Sequence, residues 1–486
     1  MMAVLFRIYE SVDGLLIHNS SFRGVVDLDG CSAQLVGSGG IALAIFFCTI
    51  AFLQQQWRAS AAVLLLAACH CNFAASAGSH KTANPVISVE TARSANDFVN
   101  SIGVNVHLNY FDTAYGNFPL LQRELQLIGI RHVRDGVHLQ NADYNHEFYG
   151  RWIQLGKIGI RFNAVLDPRS KLGPVTPSLL DQVNRLAGQT IESFEGPNEL
   201  DISNLPDWPS IDRSYQKTLF DSVRSMPGAE SIKVIGPSMA LASNGSQVGD
   251  LGDRIHEGNL HPYPAGQMPS IVFPLQVEYA RGLSGGDQIV FTESGYHNAL
   301  NDHSDQPAVS ESAAAKYIPR LFLENYARGI PRTYLYEFLD ESSDPDLTHF
   351  QQHWGLVRAD GSEKPAFVSL KNLIAELSDG SNPASLRQLA WSLSAKNEQT
   401  HHLLLQKSNG EFDLILWQEV TSYDRSRQTD IDNAPLASML TLDEEASSIT
   451  LYEPSVQAQP LRTYTHVTQV SLEIPDSPLV VTIVQR

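Results

Sequence analysis

Cysteine is scarce in this sequence and poorly placed for chemistry. All four residues, Cys31, Cys48, Cys69 and Cys71, precede residue 72 of the 486-residue chain, so most of it has neither a disulfide framework nor a thiol for catalysis or metal binding. Long apolar runs are lacking as well. The run Ile41 to Leu53 has 13 residues, short of the roughly 20 that cross a bilayer as a helix. Positive charge is in deficit, with 34 Lys+Arg against 53 Asp+Glu and a net charge of -19. A surface this acidic repels phosphate backbones and anionic headgroups, so neither nucleic acid nor acidic lipid is expected as a partner.

Several chemical signatures are missing too. No Gly-rich turn occupies Asn109 to Tyr115, where a dinucleotide fingerprint would follow the first strand, and there is no P-loop. No Gly-x-Ser-x-Gly elbow follows a strand, which argues against a serine hydrolase. Zinc chemistry wants clustered histidines, but His107 stands alone and His401-His402 lies far along the chain. Neither metal nor cofactor is expected.

What is present is an ordinary globular composition, 43% hydrophobic and 18% charged, which excludes disorder, collagen and coiled coil. Residues 1–77 read as a leader. A second apolar run, Ala59 to Cys69, follows Arg58 and precedes Ala75-Ser76-Ala77, the pattern of an export signal with cleavage after Ala77. Leu66-Ala67-Ala68-Cys69 also resembles a bacterial lipobox, which would make Cys69 a lipid anchor and the leader the chain's one contact with membrane. Acidic Glu10, Asp13, Asp27 and Asp29 are unusual ahead of such a signal. The mature protein is expected to be exported, periplasmic or extracellular.

From residue 94 to 380 strand-like runs alternate with helical patterns, the signature of a parallel sheet with helical crossovers. Eight runs qualify: Gly103 to Asn109, Arg131 to Asp135, Ile160 to Leu166, Ile191 to Gly196, Ile232 to Gly236, Gly258 to His261, Gln288 to Thr292 and Thr333 to Phe338. Eight β/α units in about 280 residues predict a (β/α)8 TIM barrel. Beyond 381 the alternation has period two without helices, and Asn409-Gly410 marks a hairpin. Residues 381–486 therefore read as a small antiparallel β-sandwich, to which Pro85 to Val89, within the linker 78–93, could add a strand.

Barrel chemistry stands at the C-terminal ends of strands, where the loops line the open mouth. The fourth strand is followed by Glu195-Gly196-Pro197-Asn198-Glu199-Leu200-Asp201 and the seventh by Thr292-Glu293-Ser294-Gly295-Tyr296-His297. Two carboxylates at two strand ends suit glycoside cleavage, which needs one acid for the leaving oxygen and one carboxylate to attack or to activate water. The nucleophile must stay ionised and so needs a cation and donors. The acid must keep its proton, which a negative neighbour such as Glu293 would favour.

Asn198-Glu199 and Glu293 at these strand ends resemble the paired signature of the clan A glycoside hydrolases, the retaining 4/7 superfamily of (β/α)8 enzymes. The resemblance implies that Glu199 is the acid/base, that Glu293 is the nucleophile and that Asn198 binds the sugar 2-hydroxyl. It further implies that Arg134 and Tyr263 hold Glu293 ionised and that His261 lines the subsite floor. The usual Asn-Glu-Pro is here Asn198-Glu199-Leu200. No strand-eight aromatic clearly supplies a Trp platform, for which Trp354 is the loose substitute. His107 is either a subsite contact or a core histidine, and Tyr296, His297 and Trp354 make either a sugar-stacking wall or ordinary loop packing. Arg134 has as its plain alternative an ion pair with Asp135 or Asp167. Glu195 reads as a structural polar residue or a subsite contact, and Asp201 as solvated or a helix cap. The expected function is a retaining β-glycosidase acting on an oligo- or polysaccharide. The alternative is a non-catalytic carbohydrate-binding barrel, from which the spacing of the two carboxyl groups would distinguish it.

Overall fold

All eight strand-like runs of the central region form parallel strands of one ring in the computed structural model, which describes residues 87–272, 275–285 and 288–485 together with three short strands near the N-terminus. They are β1 (Ile102–Asn105), β2 (His132–Gly136), β3 (Arg161–Val165), β4 (Ile191–Glu195), β5 (Lys233–Ile235), β6 (Gly258–Leu260), β7 (Ile289–Ser294) and β8 (Thr333–Leu335). The ladder runs β5-β4-β3-β2-β1-β8-β7-β6. A parallel bridge from Ile235 to Glu257 joins β5 to β6 and closes the barrel. Gly103 on β1 makes room for its neighbour: a Cβ there would lie 2.5 Å from the Tyr334 ring.

The crossover helices are α1 (Phe118–Ile128), α2 (Ala142–Lys157), α3 (Pro177–Leu186), α4 (Trp208–Arg224), α5 (Gly245–Val248), α6 (Leu275–Leu283), α7 (Glu311–Ala327) and α8 (Pro365–Leu377). Their starts follow capping chemistry: the side chains of Asn141, Thr176 and Ser310 accept the orphan N–H groups of Tyr144, Leu179 and Ala313. The four-residue α5 and the turn Gly252–Arg254 form the thin fifth crossover.

The C-terminal strands are β9 (Gln388–Leu393), β10 (Thr400–Gln406), β11 (Phe412–Gln418), β12 (Leu436–Tyr452), β13 (Arg462–Ile474) and β14 (Leu479–Gln485). Ser88–Thr91 pairs antiparallel with β9, and Gly410 turns the β10–β11 hairpin at φ 91. The period of two sorts this sandwich into faces. Leu404, Leu414, Leu416, Val481 and Ile483 fill its own core, whereas Leu403, Leu405, Ile415, Trp417 and Val480 join the barrel's hydrophobic cluster. Polar contacts fix the same seam: Arg320 of α7 pairs with Glu419 at 2.8 Å, and the Trp417 indole donates to Glu324 at 2.9 Å.

Residues 1–83 form a unit separate from 84–486, and within it Arg7–Ser11, Gly14–Asn19 and Phe22–Val26 make an antiparallel meander. Both apolar runs, Cys69 and the Ala75 to Ala77 cleavage pattern lie outside the described residues. No helix among the described residues is long and apolar enough to cross a membrane.

Candidate active site

Parallel strands deliver all their C-terminal ends to one rim, and there a cleft of about 1160 Å³ opens. Its centre is Arg134 on β2, a buried guanidinium with all five N–H bonds used. Nε and Nη2 grip Glu195 at 3.0 and 2.8 Å; Nη1 reaches Glu293 at 2.6 Å and Asn105 at 2.9 Å, and Nη2 also meets Asn198 Oδ1 at 2.7 Å. Burial opposes that charge, but Glu195 and then Glu293 outweigh it and raise the Arg134 pKa. The plain alternative for Arg134 is therefore corrected. Asp135 accepts the backbone N–H groups of Leu108 and Gly136, and Asp167 pairs with Arg169 at 2.6 Å.

Glu195 is fully buried. Besides Arg134 it accepts from Asn163 at 2.5 Å, Asn259 at 3.1 Å and Thr292 at 3.0 Å. It is the counter-ion that aims Arg134. Glu293, on β7, projects into the cleft with its side chain 12% exposed and receives the Tyr263 hydroxyl at 2.7 Å. A cation and a phenol thus bind its two oxygens.

Glu199 sits past the end of β4 with its backbone left-handed, at φ 48 and ψ 50. A non-glycine residue there costs about 1 kcal/mol, and such strain concentrates at functional sites. Bonds from the Glu199 N–H to Ser238 hold the turn at 3.1 Å to its carbonyl. Gly196, three residues earlier, leaves room for Gln216, whose Oε1 would lie 2.1 Å from a Cβ there. The usual Pro is replaced by Leu200, buried at the start of the 3-10 turn Leu200–Ile202.

His261 stands between the two acids. Its Nδ1 is 2.8 Å from Glu199 Oε1 and 3.5 Å from Glu293 Oε2, and its Nε2 is 2.9 Å from Thr292 Oγ1. The Thr292 hydroxyl has acceptors in Glu195 and Asn259 Oδ1, so its single proton goes to one of these and His261 Nε2 must carry the hydrogen. Nδ1 then shares one proton with Glu199. Burial opposes it, but Glu293 and Glu199 raise the His261 pKa, while His261 lowers that of Glu199 against the same burial penalty. This favours a Glu199 carboxylate beside an imidazolium. Glu293 is expected from sequence to raise the proton affinity of Glu199; His261 pulls the other way and lowers it.

Asn198, Arg134, His261, Tyr263, His107 and Trp354 all line the cleft with the two acids. Because Asn198 Oδ1 accepts from Arg134, its amide NH2 is the end left for a ligand. His107 stacks on Tyr110, centroids 4.6 Å apart, and lies 3.2 Å from Glu337, too poorly aligned for a hydrogen bond. Trp354 meets Tyr263 edge-on at 5.1 Å, and its indole N–H is buried without an acceptor among the described residues. The stacking wall is otherwise corrected. Tyr296 is buried with its hydroxyl on the Gln267 carbonyl, and both ring nitrogens of His297 are taken by Gln306 O and Ala299 N. Neither lines the cleft. Residues not expected from sequence do line it, among them Tyr336 at the end of β8 and Arg169, which binds the Asn198 carbonyl. The signal for Arg169 was Asp167-Pro168-Arg169 directly after β3. Asp201 is neither solvated nor a cap; its oxygens accept Ala240 N and Leu241 N at 3.0 Å and bind the β5 loop.

Among the described residues two trios bring metal-ligating atoms within 4.8 Å, His107–Glu337–Glu341 and Glu199–His261–Glu293. In the second the Arg134 guanidinium already occupies the position of a cation on Glu293.

The architecture is a (β/α)8 barrel carrying a β-sandwich, with two glutamates at the ends of β4 and β7. The chain shares this fold with a family 39 glycoside hydrolase from Bacteroides cellulosilyticus WH2, at 14% identity and a TM-score of 0.56 over 80% of this chain and 82% of that one. A monomeric beta-xylosidase from Caulobacter crescentus CB15 is similar at 13% identity and 0.56, over 83% of this chain and all of that one (100%). A glucosidase from Croceicoccus marinus matches at 10% and 0.56, over 83% and 100%. Neither a protein-family model nor a curated protein sequence matches the chain.

Proposed function

We propose that the protein is a retaining β-glycoside hydrolase in which Glu293 is the nucleophile and Glu199 the acid/base. The observation that carries this is the approach of the two side chains within one cleft: a carboxylate oxygen of Glu199 lies within 4.8 Å of one of Glu293. This closest oxygen–oxygen approach fits the retaining arrangement, whose carboxyl groups stand about 5 to 5.5 Å apart, better than the inverting one at about 6.5 to 9.5 Å, which must admit a water. The same closeness speaks against a merely carbohydrate-binding barrel.

Glu293 attacks the anomeric carbon as the bond to the aglycone oxygen breaks, and Glu199 gives that oxygen its proton. The proton reaches Glu199 along the 2.8 Å contact with His261. Water then loses a proton to Glu199 and attacks the same carbon, and Glu293 leaves as a carboxylate. Arg134 and Tyr263 hold Glu293 in line and receive its charge at each release. The solved structures that share the fold are glycosidases, which supports a carbohydrate substrate, and the acidic surface favours a neutral or basic glycan. Export through the leader belongs to the same reading, with Cys69 lipidated or removed.

A panel of 4-nitrophenyl β-glycosides tests the assignment. Glu293→Ala is expected to abolish turnover, with azide restoring part of it as the inverted glycosyl azide. Wild-type rates in Glu293→Ala would sink it.

A further inference from the structure

Ten large hydrophobic residues are exposed among the described ones, and two of them, Ile202 at 56% and Leu241 at 57%, line the cleft. A single exposed aliphatic side chain needs no explanation, but these two are set together by a dedicated contact. Ile202 ends the 3-10 turn that begins one residue after Glu199. Leu241 belongs to the loop after β5. The Asp201 carboxylate clips one loop to the other, accepting the N–H groups of Ala240 and Leu241 and the Asn244 amide, each at 3.0 Å. Ala240 and Ala242 continue the surface. The neighbouring charge of Arg169 is neutralised by Asp167.

We infer that this aliphatic lip is the aglycone subsite and that it selects β-glycosides whose leaving group is an alkyl or aryl chain. The inference rests on the proposed roles of Glu199 and Glu293. The anomeric carbon must lie between them. Glu293 on β7 is flanked by the β8 side of the barrel, where Tyr336 and Trp354 form a polar aromatic wall suited to the glycone. Glu199 on β4 is flanked by β5, so the leaving oxygen it protonates opens toward Ile202 and Leu241. A free sugar in that position would set hydroxyls against four aliphatic side chains, whereas an apolar chain removes exposed surface on both partners.

The test compares hexyl with methyl β-glycosides of the same sugar, using xylose, glucose, galactose and mannose in turn. The two leaving groups are alcohols of similar acidity and differ in apolar reach. Binding is measured by calorimetry on the full chain carrying Glu293→Gln, so the result does not depend on turnover. The hexyl glycoside is expected to bind at least about tenfold tighter, which corresponds to about 1.4 kcal/mol, fewer than two fully buried methylenes of the five added. Adding Ile202→Asn and Leu241→Asn should cut that advantage below about twofold, with circular dichroism unchanged. Equal affinities for the two glycosides, a preference that survives the double substitution, or no binding of any hexyl glycoside would each overturn the inference. Absence of turnover by the wild-type protein would instead count against the roles of Glu199 and Glu293 and leave this comparison standing.

Discussion

Every group bonded to Glu195 is a donor, and this makes Glu195→Gln a severe change despite its identical shape. Oε1 receives Arg134 Nη2, Asn259 Nδ2 and Thr292 Oγ1, and Oε2 receives Arg134 Nε and Asn163 Nδ2. A glutamine must turn its NH2 toward one of these sets. Toward Oε2 it opposes two donors, and toward Oε1 at least two, and either way a fully buried guanidinium loses one of its two anionic partners. Removing one member of a buried ion pair costs about 3–5 kcal/mol, and each donor left facing a donor adds to that penalty. The expected loss is therefore about 4 kcal/mol or more, read as the shift in free energy of urea unfolding followed by tryptophan fluorescence. Activity should fall as well. Arg134 would lean toward Glu293, its remaining anion, and draw off charge that the nucleophile needs, so kcat/KM should drop by about two orders of magnitude, the scale of one misplaced electrostatic contact. A destabilisation below about 1 kcal/mol together with wild-type kcat/KM would show that Glu195 does not orient Arg134.

Asp212 on α4 is fully buried with neither carboxyl oxygen hydrogen-bonded among the described residues, and burial, reinforced by Asp201 and Asp167, pushes its pKa up to about 8. A folded-state pKa above the unfolded value gives stability that is present below about pH 4 and lost as pH rises toward 8. Between pH 5 and 7 the wild type should lose about 2–3 kcal/mol relative to Asp212→Asn; parallel unfolding free energies across that range would refute the assignment. At the N-terminus, sequencing of the exported protein should find Gly78 first, or a blocked, lipid-bearing Cys69, and an intact Met1 on exported material would exclude both.

The barrel was legible because its signal is local and repeated. Each of the eight strands is a short apolar run between turn residues, and each run overlaps the strand that forms. Boundaries shifted where the physics is not local: Gly103 to Asn109 continues as an apolar run but pairing stops at Asn105, because the loop beyond it turns to line the cleft. In the sandwich the period-two alternation marks only the end of β12, Ser448 to Tyr452, and not the stretch before it. Asp443, Glu444 and Glu445 interrupt the alternation there, and the structure absorbs them in a register shift between Thr441 and Ala446. β9 escaped because half of its pairing is to Ser88–Thr91, about 300 residues away.

At the site, residue identity was legible and partnership was not. The positions of Glu199 and Glu293 follow from their strands, since a βα loop can only open at the C-terminal rim. Which groups set their protonation depends on side chains that converge from six different strands, and no spacing along the chain encodes that. Glu195 and His261 show the consequence. Glu195, with its carboxylate saturated by donors, reads from sequence like any polar residue at a strand end, yet it determines where Arg134 points. His261 reads as floor, yet its Nδ1 faces both acids while Thr292 fixes the hydrogen on Nε2. On the proposed roles of Glu199 and Glu293, the acid's proton is stored on a histidine beside the nucleophile, where Glu293 helps to hold it. In the proposed reaction that proton leaves with the aglycone oxygen, so in the glycosyl-enzyme His261 is neutral at Nδ1 and Glu199 is a carboxylate able to take the proton of water, which the pair holds again when Glu293 is released. One buried ring couples the protonation of the acid to the state of the nucleophile.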